Sequence, residues 1–162
     1  MHDDHVLIEQ RLRRTLGRLA TAVYSARSGL DVAAWSVAGE PVPVAAALSA
    51  EYSPVRVGYQ WGPPWGTTWF RLTGTVPAEW AGRIVEAVID IGFDVERTGF
   101  HAEGLVYRAD GTPVKGLNPR TSWVRVPHDQ PVELFVEAAA NPLILADGNF
   151  WPLCFNRTDA GK

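Results

Sequence analysis

The sequence predicts a mainly β protein: one antiparallel β-sandwich of the jelly-roll type, preceded by a single amphipathic α-helix. Three observations support this prediction. Apolar residues recur at helical steps only near the start of the chain, and after it they alternate with polar residues. The 15 glycines and 12 prolines divide the chain into short segments joined by turns. A length of 162 residues suits one domain with one hydrophobic core.

The first segment, residues 1–30, is predicted to contain the helix, from Asp3 to about Tyr24. Apolar residues lie at steps of three and four along it, namely Ile8, Leu12, Leu16, Leu19 and Val23. A basic amphipathic helix can also lie on a membrane surface, but this one lacks bulky aromatic residues. We therefore expect the helix to pack on the domain and to cover its core.

The rest of the chain divides into three predicted regions. Residues 31–60 are predicted to form an extended linker with the first strands, because Ala38 to Ser49 is rich in Pro, Val and Ala. Residues 61–152 are predicted to form the sandwich, and residues 153–162 a tail.

The first strands of the sandwich are predicted from their alternation. Trp69 to Val76 places Phe70 and Leu72 on one face, before Pro77 ends the strand. Arg83 to Ile91 carries apolar residues on both faces, which predicts a central strand covered on two sides.

A hairpin and two further strands complete the predicted sheets. Gly104 to Arg108 and Val114 to Leu117 flank the turn Ala109 to Thr112, in which Asp-Gly supplies the positive φ angles of a tight hairpin. Ser122 to Val126 and Val132 to Ala138 follow. Short strands with frequent turns and no helix between them predict two antiparallel sheets packed face to face.

Charge and cysteine content exclude several classes of function. A formal net charge of −3 and a pI near 5.8 give no basic field for nucleic acid or an anionic membrane. The single cysteine, Cys154, has no partner for an internal disulfide. The first residues do not form a secretion signal, and no segment is long and apolar enough to span a membrane. These features predict a reduced, cytoplasmic setting.

The titratable residues predict neither a catalytic site nor a metal site. Glu103 and Asp110 are the nearest carboxyl pair, but hairpin carboxylates are ordinarily solvated or cap a turn. His2 and His5 are three residues apart near a helix start and lack a third ligand.

The aromatic loop before the first predicted strand is the main candidate for binding. Its indole rings, Trp61, Trp65 and Trp69, could stack on pyranose rings or line a neighbouring active site. Alternatively, the loop folds back over the sandwich and buries them. Packing is favoured for Trp69 at a strand start, and both alternatives stay open for Trp61 and Trp65.

Three blocks of sequence resemble a known family. They are the aromatic block WGPPWGTTWFRL at 61–72, the hairpin GFHAEGLVY at 99–107 with its exit DGTPVKGLNPR at 110–120, and VEAAANP at 136–142. Together they resemble the N-terminal domain of glycoside hydrolase family 38 α-mannosidases of the bacterial, vacuolar and cytosolic branch. The first block alone is also similar to sandwich domains of the galactose-binding type.

The resemblance implies a non-catalytic N-terminal domain of an enzyme that hydrolyses terminal α-mannosides with retention. It implies that the zinc and the nucleophile belong to a later catalytic domain, so that this chain holds no cofactor and its tail is truncated. It also implies the catalytic domain, mannosides and further copies of the enzyme as partners. The candidate carbohydrate or interface residues are Trp61, Trp65, Trp69, His101, Glu103, Arg120 and Asn141.

The predicted role of this chain is to support the catalytic domain, substrate access and assembly. Within it, Glu103 and Arg120 are expected to form a polar pair that fixes the hairpin or an interface. The first alternative is a free-standing carbohydrate-binding module with an open aromatic platform. The second is a structural protein that makes no contact with sugar.

Overall fold

Strands dominate the residues that the computed structural model describes, which are 4–93, 102–141, 153–155 and 157–161. The helices are α1 (His5–Ala22) and α2 (Val44–Leu48), and Ala78–Trp80 forms a 3₁₀ turn. The strands are β1 (Arg27–Gly29), β2 (Asp31–Ser36), β3 (Ser53–Val55), β4 (Gln60–Trp61), β5 (Thr67–Gly74), β6 (Val85–Asp90), β7 (Ala102–Arg108), β8 (Pro113–Leu117), β9 (Trp123–Val126), β10 (Val132–Ala140), β11 (Leu153–Cys154) and β12 (Arg157–Gly161).

The strands form two main sheets in which the paired strands are antiparallel. One sheet has six strands in the order β3-β2-β5-β10-β7-β8, and the other has four in the order β1-β12-β6-β9. Strands β4 and β11 form a small separate pair. The predicted mainly β sandwich with one N-terminal helix is therefore confirmed.

The main core lies between the two sheets, where the predicted alternation places its apolar residues. Strands β5 and β10 pair with Phe70 opposite Val136 and Leu72 opposite Leu134. These side chains pack into one buried cluster with Ile89 of β6. Burial of each large side chain contributes roughly 1.5–3 kcal/mol, so this layer supplies most of the stability.

Phe70 is the centre of an aromatic cluster within that core. Its ring centroid lies 4.8 Å from that of Phe155, 5.5 Å from that of Trp61 and 6.5 Å from that of Tyr59. The Trp61 and Tyr59 rings meet it edge to face, a favourable arrangement for aromatic pairs. The cluster joins β5, the β4 region and the C-terminal part of the chain.

A second, smaller apolar layer covers the outer face of the six-stranded sheet. Helix α2 lies over this face, with Ala47 buried against a cluster that contains Trp69, Tyr107 and Phe135. The Tyr52 hydroxyl donates to the carbonyl of Ala47 at 3.1 Å. Residues 38–49 are therefore not a simple extended linker as predicted. Small alanine side chains after Pro43 let a helical turn pack on the sheet.

The predicted packing of helix α1 on the domain is wrong for the described structure. Its bounds agree with the prediction, yet none of its residues is buried. The body anchors the chain after the helix, at Tyr24, whose hydroxyl donates to Glu86 at 2.8 Å. The apolar side chains of α1, which lie before this anchor, stay exposed instead of covering the core.

The predicted tail is also corrected, because it belongs to the sandwich. Strand β11 pairs with β4, and β12 lies inside the four-stranded sheet between β1 and β6. Residues 31–60 contribute β2, β3 and part of β4, so the sandwich spans far more than 61–152. The segment Arg157–Gly161 lacks large alternating apolar residues, and it buries the small Ala160 and Gly161 instead.

The predicted hairpin is confirmed as β7 paired with β8, but its turn differs in detail. Gly111 has a φ of 82°, whereas Asp110 is not among the described residues with a positive φ. The Arg108 N–H donates to the Thr112 carbonyl at 3.0 Å. One glycine in the left-handed region therefore suffices to reverse the chain, as in longer hairpin loops.

Truncation of matched leucines tests which part of the chain carries stability. Leu72→Ala in the core is expected to lower the free energy of unfolding by about 2–5 kcal/mol, since Leu72 is fully buried. Leu7→Ala in α1 is expected to change it by less than about 0.5 kcal/mol, since Leu7 is exposed. Urea denaturation of both variants measures this, and comparable losses would contradict an exposed α1.

The hydroxyl of Tyr52 gives a second prediction. Burial raises the pKa of Tyr52 to about 12, against 10.0 for a free tyrosine. The unfolded chain therefore releases this proton first, and Tyr52 stabilises the fold below pH 10 but loses that contribution as the pH rises towards 12. Tyr52→Phe should flatten the loss of stability between these pH values, measured by urea denaturation. If Tyr52→Phe lost stability with rising pH as steeply as the unsubstituted chain, burial of the Tyr52 hydroxyl would be contradicted.

Candidate functional site

One end of the sandwich brings together most of the predicted site residues; we call it the aromatic-loop end. Strand β10 finishes here, with Ala139 opposite Glu103 and opposite Thr67 at the start of β5. The loop of residues 61–66 enters β5 here, Asn141 follows β10, and Arg120 follows β8, whose Leu117 pairs with Gly104. His101 lies outside the described residues.

Hydrogen bonds fix both ends of the aromatic loop. Trp61 is buried, and its indole Nε1 donates to the carbonyl of Ile91 at 2.8 Å. At the other end, the N–H of Trp65 donates to the carbonyl of Ala140 at 2.8 Å. The N–H of Ala140 donates in return to the carbonyl of Gly66 at 3.0 Å. The loop is thus attached to the end of β10.

Trp65 is held in an unusual backbone conformation and is exposed. Its φ is 67°, and it is the one non-glycine residue with a positive φ among the described residues. This region costs a residue with a Cβ roughly 1–2 kcal/mol, so the surrounding hydrogen bonds must hold it. Its side chain is 76% exposed. The loop therefore presents an indole ring to solvent on a restrained backbone.

The other two candidate tryptophans are packed away. Trp61 lies in the core between the sheets, and Trp69 is fully buried on the outer face, 5.4 Å from the ring of Tyr107. Within the described part of the chain, the Trp69 Nε1 has no hydrogen-bond partner. The three candidate indoles therefore do not form an open platform together, and Trp65 is the one of the three that is exposed.

Glu103 and Arg120 do not form the predicted polar pair. Both are exposed, and the described residues contain no ion pair between them. The backbone N–H of Arg120 donates to Oδ1 of Asn118 at 2.9 Å, and so does that of Thr121 at 3.1 Å. The Asn118 side chain therefore organises this turn, a role that asparagine commonly has. Asn141 is half-exposed at the end of β10.

The hairpin carboxylates lie at opposite ends of β7. Glu103 is near its start and Asp110 follows its end, so the strand separates them by about 20 Å at roughly 3.3 Å per residue. The Asp110 carboxylate accepts the N–H of Thr112 at 2.8 Å, which lowers the pKa of Asp110. A catalytic acid needs a raised pKa and a facing partner. These two residues therefore do not form a glycosidase pair.

A cavity of about 330 Å³ lies at the foot of the aromatic loop. The described residues that line it are polar and aromatic, with no carboxylate among them: Ser36, Tyr59, Gln60, Trp61, Gly62, Pro63 and Leu153. A small neutral molecule, such as one sugar ring, fits this volume, but the described lining offers no carboxyl pair for glycoside hydrolysis.

The described residues hold no group of three His, Cys, Asp or Glu side chains arranged for a metal ion. The zinc that the resemblance implies therefore has no ligand set in this part of the chain. No helix within the described ranges is long and apolar enough to cross a membrane.

Sequence reasoning missed the backbone groups that hold the loop, because the carbonyls of Ile91 and Ala140 act whatever their side chains are. The glycines of the loop were the available signal. Gly62 has a φ of 62°, and a Cβ there would lie 2.6 Å from that of Ala140. Only glycine allows such a close approach between loop and strand.

Comparison with known proteins places most of this sandwich in one family. A family model described as "Alpha-mannosidase, jelly roll domain" matches residues 26–157. The chain is 36% identical over 113 residues to Alpha-mannosidase 2C1 of Homo sapiens and 34% identical to that of Mus musculus. Each match covers 65% of this chain and 10% of the relative, so the chain corresponds to a small part of these proteins. Helix α1 precedes the residues that the family model matches.

Substitution of Trp65 tests the strained backbone. Trp65→Gly should be more stable than Trp65→Ala by about 1 kcal/mol, because glycine adopts a positive φ without steric cost. Both variants lose the same exposed ring. The difference between their free energies of unfolding, measured by urea denaturation, therefore reports the cost of the positive φ.

The matched control is Ile84, an exposed residue without a positive φ. There Ile84→Gly should be less stable than Ile84→Ala by roughly 0.5–1 kcal/mol. Equal stability of the two Trp65 variants would exclude the left-handed conformation.

Proposed function

This chain belongs to the family of α-mannosidase jelly roll domains, and from that premise we propose that it serves as a non-catalytic N-terminal domain of an α-mannosidase. The parent enzyme would hydrolyse terminal α-mannosides with retention. The zinc and the nucleophile would belong to a catalytic domain elsewhere in the polypeptide. This domain would support that catalytic domain, substrate access and assembly, in the cytoplasm.

The observation that carries the proposal is the exposed Trp65 on a restrained loop. Exposed tryptophans on rigid backbones are typical of interface hot spots, because little conformational entropy is lost on binding. Pro63 and Pro64 precede Trp65 and are also exposed, which extends the apolar surface of the loop. We propose that this surface docks on the catalytic domain near its substrate entrance.

The chemistry of the described residues supports a non-catalytic role. The cavity beside the loop is lined without carboxylates, and Glu103 and Asp110 are far apart on β7. The polar residues at the aromatic-loop end, Glu103, Arg120 and Asn141, would then form the rim of the docking surface. Polar rims around an aromatic anchor are common in protein interfaces.

A free-standing carbohydrate-binding module is the second candidate. The cavity at the foot of the loop and the nearby Trp65 ring favour it, since an indole stacks well on a sugar ring. The burial of Trp61 and Trp69 weighs against it, because among the three candidate indoles only that of Trp65 is exposed.

Tryptophan emission distinguishes the two candidates. Addition of mannose or mannobiose to the chain should leave its emission unchanged, because one indole offers little binding surface. The polypeptide that follows this domain in its enzyme, added as a separate chain, should shift the emission of Trp65 to shorter wavelength as the ring is buried. Trp65→Ala, used as the reference for the Trp65 signal, should weaken this association by about thirtyfold, the effect of a hot spot near 2 kcal/mol.

The control is Ile84→Ala, which removes an exposed apolar side chain just before β6 and should leave the association unchanged. Saturable emission changes with mannosides that disappear in Trp65→Ala would favour the carbohydrate-binding module instead. Hydrolysis of an aryl α-mannoside by the purified chain would overturn both candidates.

A further inference from the structure

Helix α1 carries an apolar stripe that the described part of the chain leaves uncovered. The stripe consists of Ile8, Leu12, Leu16, Leu19 and Val23, which are each between 51% and 63% exposed. A lone helix of this length is marginal in water, and helices in proteins are stabilised mainly by burial of one face. A covering surface from outside the described residues is therefore required.

The spacing of the stripe matches a two-helix seam. Leu12, Leu16, Leu19 and Val23 follow one another at steps of four, three and four, as core positions do in a coiled coil. The positions that flank this seam carry Thr15, Ala20, Ala22 and Arg13, and Arg13 is bonded to Glu9 of its own helix at 2.6 Å. Arg11, Arg14 and Arg18 lie away from the seam. Two such stripes can therefore meet without opposed arginines.

From this pattern we propose that α1 pairs with α1 of a second copy of this chain, in antiparallel orientation. Leu12 then packs on Val23 of the second copy, and Leu16 packs on Leu19. Glu9 occupies the next core position, so in a parallel pair it would face Glu9 of the second copy across the seam. The antiparallel pair avoids this repulsion and also opposes the two helix dipoles.

The distribution of charge favours the same arrangement. Four arginines against one glutamate give α1 a formal charge of +3, and residues 23–162, which follow it, carry −4. Asp3 and Asp4, before the helix, supply the remaining −2 of the overall −3. A parallel pair would set two acidic bodies side by side. The antiparallel pair places them at opposite ends of a helix about 27 Å long, and the basic helix of each copy approaches the acidic body of the other.

A lipid surface fits these observations less well. The stripe contains no aromatic residue, and the acidic body would be repelled by the anionic lipids that attract basic helices. The pairing would contribute to the assembly named in the proposed function, but it rests on α1 alone, which precedes the residues matched by the family model.

Sedimentation equilibrium of the full chain tests the pairing. The chain should form a dimer, and Leu16→Glu should weaken dimerisation by at least about a hundredfold, because each dimer loses two buried leucines. The matched control is Leu7→Glu, which introduces the same change at an exposed residue outside the seam. It should leave the dimer intact, and circular dichroism should show native strand structure in both variants.

Three results would overturn the proposal. The first is a chain that stays a monomer at every concentration, whether or not it binds vesicles of phosphatidylserine through α1. The second is a dimer that Leu7→Glu weakens as much as Leu16→Glu does. The third is a dimer in which the two helices are parallel. Spin labels at residue 10, in a chain with Cys154→Ser, report the orientation. They should lie about 25 Å apart in the antiparallel pair, and near 10 Å in a parallel one.

Discussion

The packing of Phe70 between the two sheets is the contact on which the candidate site depends. Its ring meets Phe155, Trp61 and Tyr59, so one residue of β5 joins the C-terminal segment to the start of the aromatic loop. The bond from the Trp61 indole to the Ile91 carbonyl then fixes the loop at its base. The bonds between Trp65, Gly66 and Ala140 fix its other end. The strained φ of Trp65 follows from a loop held at both ends.

The apolar layers divide the chain into parts with different tasks. Both faces of the six-stranded sheet are covered, by the four-stranded sheet on one side and by α2 on the other. Such a sheet is expected to open only with the whole fold, which suits a scaffold that positions a binding residue. Helix α1 buries nothing in the described chain, so its order depends on a further surface. The aromatic-loop end and α1 are therefore separate candidates for recognition.

The sequence predicted the parts of the fold that depend on local pattern. The alternation around Phe70 and Leu72 and the Asp-Gly turn have direct structural consequences, so β5 and the β7–β8 hairpin were predictable. The strand Arg157–Gly161 was not, because its pairing with β6 is long-range and its buried residues are small. Amphipathicity located α1 and its apolar face, but it does not specify which surface covers that face.

The candidate site was predictable in outline and not in detail. The blocks that contain Trp65, Glu103, Arg120 and Asn141 do lie at one end of the sandwich, because strand register brings them there. The exposure of Trp65 beside the buried Trp61 depends on hydrogen bonds to backbone carbonyls, which side-chain identity does not reveal. Both Glu103 and Arg120 are described and exposed without an ion pair between them, and the backbone of the turn at Arg120 bonds to the Asn118 side chain.

Trp65 is exposed, and the hydrogen bonds at both ends of its loop hold it rigid. The most direct measurement is ¹⁵N relaxation of its backbone amide. Bonded to Ala140 and fixed through Trp61, this amide should have an order parameter near 0.85, as in the strands. An order parameter below about 0.6, typical of flexible segments, would mean that the loop is not held by the Phe70 core and that Trp65 is not rigid.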